Sequence, residues 1–149
     1  MAKFTYKMQN ILDIKYKLET QAKTSFSIAA ANLNREEEKL VELNLRKQGY
    51  EKEARELVAD KLDFHAIKVN WAAIENMKGA IRSQTLAVQV AQRNLESARK
   101  HLQEVMTERK THEKLKEKAF DEFKKEMEKE ESKVVDELVS FTHNHAENE

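Results

Sequence analysis

From Ile67 onward an apolar residue returns every seven positions: Ile67, Ile74, Ile81, Val88, Leu95 and Leu102. Asn70, Met77, Gln84, Ala91, Ala98 and Val105 fall between them. Two interleaved rows of this kind lie on one stripe of an α-helix and require a second helix to cover them. The β-branched side chains gather in one row. The small ones gather in the other, where they let two helices approach closely.

A second stripe lies earlier in the chain, from about Phe4 to about Leu57. It follows alternating steps of four and three through Phe4, Met8, Ile11, Lys15, Leu18, Ala22, Ser25 and Ala29. It then repeats a step of four to Leu33 and resumes through Glu36, Leu40, Leu43, Lys47, Tyr50, Ala54 and Leu57. The repeated step reads as a stutter, which locally unwinds a left-handed supercoil. Lys15, Glu36 and Lys47 keep this seam from being an optimised zipper.

The stripes belong either to one helix of roughly 200 Å, at 1.5 Å per residue, or to two helices folded back on each other. Running the first register past Leu57 gives Lys61, Phe64, Lys68, Trp71, Glu75, Lys78 and Arg82, a mostly charged row. A turn at about 59–63 removes that conflict. Asp63 then caps the second helix, and Leu62 and Ile67 occupy the staple positions. The sequence predicts an all-α, single-domain antiparallel coiled-coil hairpin. Helix 1 covers about 4–58, helix 2 about 64–142, and a disordered tail about 143–149. Paired residue numbers should add to about 124, so that Leu57 meets Ile67, Tyr50 meets Ile74 and Met77, and Phe4 lies beside Phe120 and Phe123.

Composition agrees. Among 149 residues there are no Pro, no Cys and two Gly, 36% are charged and 7% are aromatic. That is the profile of long helices with a narrow buried seam. Net charge is zero, which argues against nucleic acid as the main partner. Residues 1–35 carry net +4 and residues 119–149 net −6, so an antiparallel fold brings opposite signs together. No stretch is apolar enough to span a bilayer, and a cytoplasmic location is expected. Beyond about residue 125, Met127, Val134, Leu138 and Phe141 form a stripe with no partner in helix 1, which frays or awaits another protein.

No phosphate-binding glycine loop, nucleophile elbow or cysteine nucleophile is present, and a non-enzymatic protein without cofactors is expected. His101 and His112 share a helical face with Glu104 and Glu108 between them; a solvated stripe is the plainer reading than a metal site. Trp71, the only tryptophan, either covers the seam or serves as an exposed anchor. Gly79 either permits close approach of a partner or is simply tolerated. Thr107–Lys118, with five basic and three acidic residues, is the least seam-like part of helix 2. It is either solvated or a surface for something besides self-packing.

Three segments resemble the FliJ family of flagellar type III export proteins. The family's aromatic-rich start is matched by Phe4-Thr5-Tyr6-Lys7-Met8-Gln9-Asn10-Ile11-Leu12-Asp13, with Met8 at a position commonly Leu. Its later signature is matched by Glu108-Arg109-Lys110-Thr111-His112-Glu113-Lys114-Leu115-Lys116-Glu117, followed by Asp136-Glu137-Leu138. The resemblance implies a soluble export component that enters the ring of the flagellar export ATPase and promotes its assembly. It also implies a link to the transmembrane export gate, assistance to export chaperones, and a peripheral place on the cytoplasmic face of the membrane without insertion. Phe4, Tyr6, Glu108, Arg109, Lys110, Lys114, Leu115 and Lys118 would face the ATPase, and Tyr50, Trp71 and Met77 the gate. The family's gate-facing aromatic position corresponds to Ala73, a departure for which Trp71 is the candidate substitute. The alternatives are a generic coiled-coil scaffold, or an export chaperone acting through the C-terminal amphipathic helix.

Overall fold

The computed structural model describes residues 2–59 and 61–147. Two helices, α1 (Gln9–Ala59) and α2 (Phe64–Glu147), pack against each other as an antiparallel hairpin, and the second is the longer. No strand occurs among the described residues. Contacts divide the chain into two units: Thr20–Gln103, and the paired segments Met1–Glu19 and Glu104–Glu149.

The first helix begins at Gln9, five residues later than the sequence suggests. Phe4, Thr5 and Tyr6 are aromatic or β-branched residues of low helix propensity. They form an irregular lead-in, closed by the Gln9 amide donating to the Tyr6 carbonyl at 3.2 Å. This lead-in sets Phe4 against Phe120 and Phe123, with ring centroids 5.1 and 5.4 Å away. The expected aromatic neighbours are therefore present, although Phe4 is not helical.

The seam of α1 has no stutter. The shielded residues run from Leu12 through Lys15, Glu19, Ala22, Phe26 and Ala29 into the expected positions between Leu33 and Leu57. Steps of three and four alternate throughout. Met8, Ile11, Leu18 and Ser25 are exposed instead. The row through Leu12, Glu19 and Phe26 faces the partner helix in place of the expected row through Ile11, Leu18 and Ser25, although it contains a carboxylate. The carboxylate is tolerated inside because Arg109 neutralises it across the seam.

In α2 the heptad also continues further than expected. Past Val105 the shielded positions are Arg109, His112, Lys116, Ala119 and Phe123. Thr107–Lys118 is thus part of the seam. Beyond Met127 every described residue is exposed. The helix nevertheless runs through Glu147, so residues 143–147 of the expected disordered tail are helical; residues 148 and 149 lie outside the described residues.

At the turn, Asp63 caps α2. Its carboxylate accepts from the His65 amide at 3.1 Å and the Ala66 amide at 3.2 Å, satisfying donors that the helix leaves unpaired. Asp60, within the expected 59–63 turn, lies outside the described residues. Leu62 remains exposed, so the expected staple with Ile67 is not a buried one.

Register within Thr20–Gln103 is set by two amides in the seam. Asn70 Nδ2 donates to the Tyr50 carbonyl at 3.0 Å, and Gln84 Nε2 to the Glu36 carbonyl at 2.9 Å. Both pairs add to 120, about one helical turn away from the expected 124. Tyr50 is therefore level with Asn70 and not with Ile74 or Met77; the same register sets Met77 opposite Leu43. A β-carbon at Gly79 would meet only the end of the Arg82 side chain, at 3.8 Å. Nothing within the chain requires glycine there.

Leu12, 2% exposed, is the most deeply buried large side chain. Leu12→Ala is expected to cost roughly 2–5 kcal/mol in urea unfolding, while Leu18→Ala costs less than about 1 kcal/mol. The reverse order would restore the seam row containing Ile11 and Leu18.

Candidate functional site

The residues singled out in the sequence fall into two groups, one in each unit. In the unit formed by Met1–Glu19 and Glu104–Glu149, four charged or polar side chains cross the seam. Arg109 donates through Nε to Glu19 at 2.6 Å and through Nη2 to the same carboxylate at 3.1 Å. Its Nη1 reaches Glu113 at 3.0 Å. Tyr16 donates its hydroxyl to the other oxygen of Glu113. Alongside, Lys15 donates to Glu108 at 2.9 Å.

Helical spacing explains the assembly. Arg109 and Glu113 stand one turn apart on α2, and Glu19 follows Leu12 by one heptad on α1. The guanidinium presents a planar fork that matches a carboxylate through two bonds. With side-chain exposures of 17% for Arg109 and 8% for Glu19, the pair lies within the seam and not on its surface. Glu19 raises the Arg109 pKa, chiefly by hydrogen bonding. The Tyr16 hydroxyl, and then Arg109, hold Glu113 below the ordinary carboxylate value of 4.5. In return Glu113 raises Tyr16 above its ordinary 10.0.

The remaining residues of this group divide by exposure. Phe4 and Tyr6 are half-buried, and Glu108, Lys110, Lys114, Leu115 and Lys118 are exposed. Lys110, Lys114 and Lys118 follow one another by single turns, and none has an ion pair among the described residues. The structure thus separates Arg109, committed to Glu19, from three lysines that are available. Sequence reasoning missed Glu19 and Tyr16. The detectable signal for Glu19 was its position midway between Leu12 and Phe26, seven residues from each.

Beside the network an open groove of about 550 Å³ is lined by Phe4, Leu12, Tyr16, Glu113, Lys116 and Phe120, among others. It is a shallow feature open to solvent. Among the described residues no three His, Asp or Glu side chains converge as a metal site. His112 lies in the seam with its Nδ1 buried and unbonded.

The second group lies in Thr20–Gln103. Tyr50 and Met77 are half-buried seam residues, and the Tyr50 carbonyl is used by Asn70. Trp71 is 65% exposed and so does not cover the seam. Val58, Leu62 and Phe64, near the turn, are exposed apolar residues as well.

The Tyr16–Glu113 bond needs a protonated phenol and an ionised carboxylate. Glu113 has a lowered pKa, so its stabilisation is present above pH 4.5 and is lost as the pH falls through the folded value. Tyr16 has a raised pKa, so its stabilisation is present below pH 10.0 and is lost as the pH rises through the folded value. Thermal melts are expected to show a plateau between those limits. Glu113→Gln should lower the plateau and flatten its acid edge. An acid edge unchanged in that variant would remove Glu113 from the account.

Residues 4–148 match the family described as flagellar FliJ protein. Comparison with curated proteins finds no sequence match. Among solved structures, a YscO homologue from Chlamydia trachomatis is similar, with a TM-score of 0.79 and 22% identity over 99% of each chain. At that identity the likeness shows the fold. Among the described residues no helix is long and apolar enough to cross a membrane. The match along nearly the whole chain places this protein in the flagellar FliJ family and so among components associated with type III protein export.

Proposed function

We propose that the chain is a non-catalytic coupling component of flagellar type III export, which docks into the export ATPase ring and promotes its assembly. The observation that carries this reading is the row of Lys110, Lys114 and Lys118, exposed on successive turns and without ion-pair partners. A ridge of cations at fixed spacing suits acidic loops around a pore, where charge matching sets specificity and association rate. Phe4 and Tyr6 lie in the same unit and shape the surface beside the seam. Arg109 holds that surface together through Glu19 and Glu113. Leu115, exposed among the lysines, adds an apolar contact.

The turn end contacts the export gate in this reading, with Trp71 as the main anchor. Tyr50 and Met77, half-buried in the seam, set the surface around it. This gives the protein a peripheral place on the cytoplasmic face of the membrane at the flagellar base. A second role, assistance to export chaperones, is favoured by the overhanging part of α2. There Val134, Leu138 and Phe141 are all exposed along one face.

Mixing the full chain with a flagellar export ATPase is expected to increase ring formation and ATP hydrolysis. Replacing Lys110, Lys114 and Lys118 together by Glu should raise the concentration for half-maximal stimulation roughly tenfold or more, with helical circular dichroism unchanged. Stimulation at the original concentration would remove the lysine ridge from the interface. No stimulation by the parent chain, with export chaperones bound instead, would favour the chaperone role. Binding to neither would leave a coiled-coil scaffold.

A further inference from the structure

We propose that the turn end of the Thr20–Gln103 unit docks on an anionic lipid surface through the exposed aromatic pair Phe64 and Trp71 and the cations beside them. The proposal deepens the peripheral membrane location given above by naming lipid itself as a partner. It uses the Trp71 face that the proposed gate contact also uses, but lipid binding itself needs neither the ATPase nor the gate.

Phe64 and Trp71 stand seven residues apart on the first turns of α2, about 10 Å along the helix axis. They are 72% and 65% exposed. Alternating steps of four and three place Lys68, Glu75, Lys78 and Arg82 on the same face, and all are exposed. This face is distinct from the seam, which α2 makes with Ile67, Asn70 and Ile74. Exposed Lys61 and Leu62 precede it in the turn.

The charge of this face is positive. Lys61, Lys68, Lys78 and Arg82 stand with one carboxylate, Glu75, which is paired with Lys78 at 3.2 Å. The nearby Asp63 carboxylate is turned to the helix end, where it accepts two backbone amides. Phe64 and Trp71 present exposed aromatic surface beside these cations. At a bilayer interface the same rings find an apolar layer beneath the headgroups, and lysine stems extend upward to the phosphates. Tryptophan favours that layer, and each cation near an anionic leaflet strengthens binding roughly fivefold. The combination of two aromatics and several cations matches both the apolar and the charged part of an anionic bilayer interface.

Trp71 is the only tryptophan in the chain, so it reports directly. Full-length protein is titrated with vesicles of phosphatidylglycerol and phosphatidylcholine in equal parts, and with phosphatidylcholine alone. With the anionic vesicles, a blue shift of Trp71 emission, protection from iodide quenching and co-sedimentation are expected, all weakened by high salt. Lys61→Gln with Lys68→Gln should weaken binding roughly 25-fold while leaving the helical signal intact. Phe64→Ala, which keeps the reporter, should reduce the blue shift. Unchanged emission with the chain left in the supernatant would overturn the proposal. So would equal binding to neutral vesicles, or undiminished binding by both variants. A shift produced by the soluble part of the gate protein but never by vesicles would assign the face to protein and overturn lipid docking, while leaving the proposed function standing. Loss of ATPase stimulation with vesicle binding preserved would do the opposite.

Discussion

A seam between only two helices shields each inward side chain on one side and leaves its flanks near water. That constraint governs the rest of the structure. The buried apolar residues are few, and apart from Leu12 they are alanines and valines: Ala22, Val88, Ala91 and Val105. Alanines let the helices come close, but they remove little apolar surface from water. Stability must therefore be gathered along the length of the helices, and no single region supplies a large core.

An apolar seam this narrow also specifies register weakly, since sliding by one heptad exchanges similar side chains. Polar groups inside the seam supply what is missing. Asn70 finds the Tyr50 carbonyl, and Gln84 finds Glu36. In the other unit Arg109 finds Glu19. A slipped register would leave each of these groups without its partner, partly desolvated, and the cost of such an orphaned group exceeds the net value of the bond. Their contribution is to select one alignment, comparable to a single buried Asn in a coiled coil.

The same geometry makes outward faces abundant and function a matter of what they display. The three lysines on successive turns, the aromatic pair near the turn and the acidic, apolar overhang have no role in holding the helices together. Each is free to meet a different partner. Arg109 lies only one residue from Lys110, yet the helix points them differently. One is consumed by the fold and the other is left available.

Helical content, two stripes, the fold-back and the Asp63 cap were determined by the sequence itself, because heptad spacing and capping are local rules that read directly from residue order. The aromatic contact of Phe4 with Phe120 and Phe123 followed from the approximate pairing. The seam row at the start of α1 was decided only by tertiary structure. Ile11 and Leu18 look better suited to burial than Glu19 when α1 is considered alone. Arg109, 90 residues away in sequence, reverses that preference by supplying a fork of donors to the carboxylate. Whether a charged residue lies inside or outside depends on its partner across the seam, and no periodicity within one helix contains that information.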